Sequence, residues 1–232
     1  MAKIHGVAGE WARIRGMALG LWPLAIGIFS VGFSLAMWIL SAIPWAWVLV
    51  AWAWVLVVAS LALIAWSVLK GVRRIERFYV GARGEERVSL ILRGLDERFH
   101  VFNDFIADGT HVDHVVAGPT GVFAIETKFW NGMVSLQDDR ILVDGEPPTR
   151  SPLKQAQHEC NLVKTHLSKL GWNGIVTPVL VFASNTFIGE NSVVHGVNVL
   201  NSVDLANIIS SSREILSVAE LERLVTIMET SL

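Results

Sequence analysis

The sequence predicts a mixed α/β domain with a central sheet, preceded by a helical hairpin that is long and apolar enough to cross a membrane. No Asp, Glu, Lys or Arg occurs between Arg15 and Lys70, and eight of the ten tryptophans of this 232-residue chain lie in its first 70 residues. The following residues, 71–232, contain 15 Lys and Arg against 20 Asp and Glu, a net charge of about −5, and have the size of one soluble domain. The single cysteine, Cys160, excludes an internal disulfide framework and a cysteine-based zinc cluster.

The N-terminal third is interpreted as a membrane anchor. Residues 17–42 and 45–69 are each long enough to span a hydrocarbon core of about 30 Å at about 1.5 Å per residue, and Pro44 separates them. Basic residues flank the hairpin on both sides whereas its turn is uncharged, which predicts that both termini are cytoplasmic. No ionisable residue lies within either span, so transport is not expected. A signal peptide and a buried soluble hairpin are the alternatives, but the uncharged stretch is longer than either predicts.

These features divide the chain into four segments. They are a cytoplasmic N-terminal segment (1–16), a transmembrane helical hairpin (17–70), a basic linker (71–78) and the soluble domain (79–232).

The soluble domain is predicted to contain helices interspersed with strands, an order typical of a mixed α/β fold. Apolar periodicity and turn residues predict a helix over 83–95, strands over 99–105, 111–117 and 121–128, a hairpin of 133–137 with 140–143, a helix over 152–170, strands over 175–182 and 193–200, and a last helix from a Ser217–Glu220 capping box to about Glu229.

Two carboxylates interrupt the apolar strands of the first predicted hairpin. If residues 119–120 form its turn, Asp113 lies opposite Glu126 on one face, with Cβ atoms about 4.5–5.5 Å apart. Lys128 projects to the same face because side chains alternate along a strand. Two facing carboxylates are destabilising unless something neutralises them, and a divalent cation would do so. Oxygen ligands favour Mg²⁺ or Mn²⁺ over zinc.

A surface salt bridge of Lys128 with both acids is the alternative interpretation, and the register could differ by one residue. The preceding helix favours an inward-facing site. On a helical wheel Glu85 lies at the edge of the apolar stripe, whereas Glu86 lies nearly opposite it. A third carboxylate facing the sheet favours a metal site.

Four short motifs follow one another over residues 79–185. They are Gly81-x-x-Gly84-Glu85, Val112-Asp113-His114-Val115-Val116, Gly121-Val122-Phe123-x-Ile125-Glu126-x-Lys128, and Pro152-x-x-Gln155. Their order and spacing resemble the nuclease-related domain (NERD) family, which is similar to the PD-(D/E)XK, restriction-endonuclease-like superfamily. The resemblance implies a restriction-endonuclease-like mixed central sheet flanked by helices. It also implies that residues 79–232 form a NERD-like nuclease domain. His114 follows Asp113, whereas the superfamily pattern has Pro before Asp.

The resemblance also implies roles for individual residues. Glu85, Asp113 and Glu126 are expected to bind or support Mg²⁺ or Mn²⁺. Lys128 is expected to position the attacking water and to stabilise developing phosphate charge, and Gln155 is the expected polar residue of the accessory helix. The helical wheel does not distinguish Gln155 from the nearby Gln157, so the resemblance alone selects it.

The implied activity is metal-assisted hydrolysis of phosphodiester bonds in DNA or RNA at the cytoplasmic face of an inner or plasma membrane. The lipid bilayer is the second expected partner, and the sequence carries no signal of an oligomeric state. Because nucleic-acid binders usually have a basic surface, the acidic soluble domain favours an alternative. In this alternative interpretation, the protein has a nuclease-like fold but little catalytic activity, and it is a membrane-tethered module that binds nucleic acid or protein. The presence of three carboxylates beside a lysine favours the nuclease over the binding module.

Overall fold

The computed structural model describes residues 1–40, 47–184 and 186–230. The chain divides into two units, one formed by Met1–Trp11 with Gly81–Leu232 and the other by Ala12–Val80. The turn predicted around Pro44 lies outside the described residues.

Helices and strands follow one another along the described residues. In chain order they are β1 Lys3–His5, α1 Glu10–Leu40, α2 Trp47–Leu92, β2 His100–Ala107, β3 Thr110–Gly118, β4 Gly121–Lys128, β5 Val134–Gln137, β6 Arg140–Val143, α3 Pro152–Lys169, β7 Val176–Phe182, β8 Phe187–Ile188, β9 Ser192–Val194, β10 Val197–Asn201, a 3₁₀ turn Ser202–Asp204, α4 Leu205–Ser211 and α5 Val218–Glu229.

The N-terminal helices include one stretch that could span a membrane. Within the described part of the chain, Glu10–Ala36 is the one helical stretch long and apolar enough to do so, and 12% of its most apolar window is buried. In α2 the apolar helical stretch Trp54–Trp66 is shorter. The structure is therefore compatible with membrane association through α1, and the two-helix transmembrane hairpin stays a prediction.

The helix expected over 83–95 is the last part of the much longer α2, which ends at Leu92. Residues 71–78, assigned to a linker from their charge, also belong to this helix. Lys, Arg and Glu are good helix formers, so a charged segment without proline continues the helix.

The soluble unit is built on a seven-stranded mixed sheet with the order β1-β2-β3-β4-β7-β10-β9, and a second sheet has the order β6-β5-β8. Helices cover both faces of the larger sheet. One core contains residues of α3 and α5, and another contains residues of α4 and the C-terminal part of α2. The predicted mixed α/β fold with a sheet flanked by helices is confirmed.

The turn of the first hairpin fixes the register of β3 and β4. Cα partners run from Gly118 with Gly121 to His114 with Ile125, as predicted. The single strand predicted over 193–200 is wrong, because β9 and β10 are antiparallel partners. His195 and Gly196 both have positive φ, 49° and 79°, and form the tight turn between them.

Candidate active site

Glu126 and Lys128 lie at the end of β4, a central strand between β3 and β7. Their spacing of two residues places both side chains on one face of the sheet. The Lys128 ammonium donates a hydrogen bond to a carboxylate oxygen of Glu126 and another, of 3.0 Å, to Oε1 of Gln155. The Glu126 side chain is 2% exposed and that of Lys128 is 18% exposed. Three of the five predicted site residues are therefore in direct contact.

The start of α3 places Gln155 beside β4. Ser151 caps the helix by accepting a hydrogen bond from the Lys154 N–H at 3.4 Å, and Pro152 follows in the first turn. Gln155 is half-buried in the next turn, whereas Gln157 is exposed. The structure thus separates the two glutamines that the helical wheel left equivalent.

Glu159 is a buried acid of this site that the sequence analysis did not identify. Its Oε1 accepts a hydrogen bond of 3.0 Å from Nε2 of Gln155, one helical turn earlier. Glu126 and Glu159 each keep one buried carboxyl oxygen without a hydrogen-bond partner among the described residues, and the proximity of Glu159 raises the pKa of Glu126. The signal in the sequence was the i, i+4 spacing of Gln155 and Glu159 on one helix face.

Asp113 lies next to this group at the edge of the paired region of β3. Pairing of β3 with β4 ends at His114 and Ile125. Beyond that point Oδ2 of Asp113 accepts a hydrogen bond of 2.8 Å from the Thr127 N–H. The Asp113 side chain therefore takes the place of a backbone partner for β4. Burial, followed by the charge of Glu126, raises the pKa of Asp113 well above its ordinary value.

Glu85 reaches the same carboxylates from the C-terminal part of α2. Burial and then the charges of Asp113, Asp104 and Glu126 raise its pKa to about 9. Gly84 permits this approach because a Cβ at that position would overlap the side chain of Phe129. The prediction that Glu85 faces the sheet is consistent with these interactions.

Asp104 is the second acid that the sequence analysis missed. It lies in β2 with a positive φ of 50°, and its Oδ2 accepts a hydrogen bond of 3.2 Å from the Trp11 N–H. Burial is the largest contribution that raises its pKa. The available signal was the pair Asn103-Asp104 within an otherwise apolar strand.

The buried carboxyls and the lysine control one another's protonation. Burial, with a smaller contribution from Glu159, raises the pKa of Glu126 to about 8 despite the nearby Lys128. Burial lowers the pKa of Lys128, but Glu126, Asp113 and Glu159 together raise it above the ordinary value. Lys128 is therefore a cation at neutral pH, and burial favours the protonated form of Glu126.

The predicted metal ligands, Glu85, Asp113 and Glu126, lie in this region, but their side chains are not arranged as a metal-binding site. Within residues 1–40, 47–184 and 186–230, no three His, Cys, Asp or Glu side chains are arranged to hold a metal ion. The oxygen chemistry nevertheless fits a hard cation, because the charge of Glu126 raises the pKa of both Glu85 and Asp113 and Glu126 keeps an unpartnered buried oxygen. Their role as ligands stays a proposal.

An open cleft of about 600 Å³, here named the Lys128 cleft, adjoins the lysine. Its lining includes Lys128, Trp130, Asn131, Thr149, Arg150 and Gln155. The cleft gives a ligand access to the Lys128 ammonium.

Comparison with known proteins supports the resemblance seen in the motifs. No curated protein and no solved structure matches the chain. Residues 80–183, which contain all four motifs, match the family of the nuclease-related domain, NERD.

Proposed function

We propose that this protein is a membrane-anchored, metal-dependent nuclease that hydrolyses phosphodiester bonds of DNA or RNA at the cytoplasmic face of a membrane. The nuclease-like function is suggested by the NERD match over residues 80–183. The observation that carries the proposal is the Lys128 ammonium, which is held by Glu126 and Gln155 at the wall of an open cleft.

Lys128 is the group that contacts the substrate in this mechanism. An ammonium has three N–H donors, and Glu126 and Gln155 accept two of them. The third remains for a phosphate oxygen or for the attacking water. Because Lys128 stays cationic, it stabilises negative charge that develops on the phosphate in a largely desolvated site.

The neighbouring polar residues hold the lysine in place. Gln155 accepts from Lys128 and donates to Glu159, so the ammonium, the amide and the carboxyl form one chain of hydrogen bonds. These hydrogen bonds fix the Lys128 side chain before substrate binds. Donors that are already in position stabilise charge without reorganisation during the reaction.

Glu85, Asp113 and Glu126 are the residues that would hold Mg²⁺ or Mn²⁺. When bound, such an ion supplies a water of lowered pKa and polarises the phosphate. The same three carboxyls would release their protons as the ion binds.

The activity is tested with the full-length chain in detergent micelles. Labelled single- and double-stranded DNA and RNA are incubated with Mg²⁺, Mn²⁺ or EDTA. We expect cleavage that needs the metal and that is lost in Glu126→Gln and Lys128→Met. Lys164→Met is the matched control, because Lys164 is an exposed residue of α3, and it should cleave at the wild-type rate. Metal-independent binding without turnover would instead favour the catalytically weak binding module.

The membrane anchor is a separate part of the proposal. Its support is the apolar stretch Glu10–Ala36, most of whose side chains are exposed. We expect the protein to stay with the membrane fraction after an alkaline carbonate wash and to be released by detergent. Release by carbonate alone contradicts an integral anchor.

A further inference from the structure

Among the described residues, the charged groups that line the Lys128 cleft are positive. They are Lys128 and Arg150, and the described lining contains no Asp or Glu. Residues 71–232 nevertheless carry a net charge of about −5. Arg150 is exposed and forms no ion pair with a described carboxylate. A cationic cleft in an acidic domain favours a ligand with negative charge.

The cleft also has an aromatic wall. Trp130 is half-buried, lines the cleft and rests on Phe182 with ring centroids 5.7 Å apart. Its backbone carbonyl accepts a hydrogen bond of 3.1 Å from Thr186, so the start of this loop is fixed. An aromatic ring beside cations is the combination that binds nucleic-acid strands, because bases stack on the ring while phosphates pair with the cations.

The volume of this open cleft favours one form of nucleic acid over another. A volume of about 600 Å³ is that of a site for a drug-sized molecule, comparable to one nucleotide. A base within a duplex is covered on both faces by its neighbours and reaches such a site only after it leaves the stack. An unpaired base in a single strand can stack on the aromatic ring without the free-energy cost of leaving a duplex.

We propose that the Lys128 cleft binds one nucleotide of a single-stranded nucleic acid, with Arg150 contacting a backbone phosphate and Trp130 stacking on the unpaired base. This inference rests on the proposed nuclease function and names its substrate as single-stranded. Arg150 and Trp130 position the strand so that an adjacent phosphate lies at Lys128.

The test measures binding of a short fluorescein-labelled strand, and of the same strand in a duplex, to the full-length protein in detergent with EDTA. Fluorescence anisotropy over a salt series gives the Kd and its salt dependence. We expect the strand to bind at least several-fold more tightly than the duplex. Arg150→Ala should weaken strand binding and reduce the slope of log Kd against log salt by about 0.7, the effect of one phosphate contact. Trp130→Leu should weaken it about 5- to 150-fold.

Arg213→Ala is the matched control, because Arg213 is exposed and does not line the cleft. An equal loss in Arg213→Ala and Arg150→Ala, an unchanged salt slope in Arg150→Ala, or equal affinity for strand and duplex overturns the inference. If Trp130→Leu does not fold, Arg150→Ala still tests the inference, because Arg150 is exposed.

Failure of this inference is distinguishable from failure of the nuclease proposal. Strand binding that depends on Arg150, without cleavage under any metal condition, supports the cleft and contradicts the nuclease. Metal-dependent cleavage with an unchanged KM in Arg150→Ala supports the nuclease and overturns the cleft.

Discussion

The raised pKa of Glu126 predicts that the metal-free protein loses stability as the pH rises. Its pKa is raised from 4.5 to about 8, chiefly by burial. The folded state therefore binds this proton more tightly than the unfolded state does. The contribution is fully present below pH 4.5 and is lost as the pH rises through about 8. At about 1.4 kcal/mol per pH unit, the difference corresponds to about 5 kcal/mol.

Glu126→Gln removes this titration while conserving the shape of the side chain. The amide oxygen still accepts from Lys128, and its NH₂ group can donate to Glu159. The negative charge of Glu126 also raises the pKa of Glu85 and Asp113, so the variant weakens their pH dependence too. The Tm of both proteins is compared between acid and alkaline pH. We expect the decrease in Tm to be larger for the wild type than for Glu126→Gln, by on the order of 10 °C.

The assay is thermal unfolding of the full chain in non-ionic detergent with EDTA, followed by near-UV circular dichroism. Glu222→Gln is the control, because Glu222 is an exposed acid of α5, and its pH dependence should equal that of the wild type. If Glu126→Gln loses as much Tm as the wild type over the same pH range, Glu126 is ionised in the folded protein at neutral pH. That result would show that burial does not keep a proton on Glu126.

Three further predictions concern the metal, the hairpin and the last helix. Mg²⁺ added at neutral pH should release protons, so its calorimetric binding enthalpy should change with the ionisation enthalpy of the buffer; an identical enthalpy in all buffers contradicts this. Gly118→Ala should lower stability by about 1–3 kcal/mol because its Cβ would overlap the buried ring of Phe99, and a wild-type urea midpoint would disprove it. Ser217→Ala should cost about 0.5–2 kcal/mol because it removes the capping box with Glu220; an unchanged midpoint speaks against the cap.

Local patterns were sufficient to predict much of the soluble domain. The register of β3 and β4 followed from the turn and from the apolar positions, because a shift by one residue would expose the buried face. The capping box at Ser217 was predicted from its residue types and is present with both reciprocal hydrogen bonds. Helical periodicity predicts that Glu85 faces the sheet, and the influence of Asp113 and Glu126 on its pKa is consistent with this. These features depend on residues that are close in sequence.

Other features depend on contacts between distant parts of the chain. β1 pairs with β2, almost 100 residues later, and three residues give too little pattern to predict a strand. Asp104 was missed because its role depends on Trp11, whose N–H it binds. The division of residues 193–200 into two strands depends on the positive φ of His195, a conformation that residue types alone do not require.

Periodicity and turn residues act locally, and they were enough to predict the α/β class, the apolar N-terminal segment and the presence of Glu126 and Lys128 on one face of a strand. Tertiary contacts bring Gln155 and Glu159 to these two residues, raise the pKa of Glu126 through burial, and form a cationic cleft beside Lys128. Local patterns could not predict these features, because pKa values and cleft shape depend on burial and on charges from separate elements, which come together only when the chain folds.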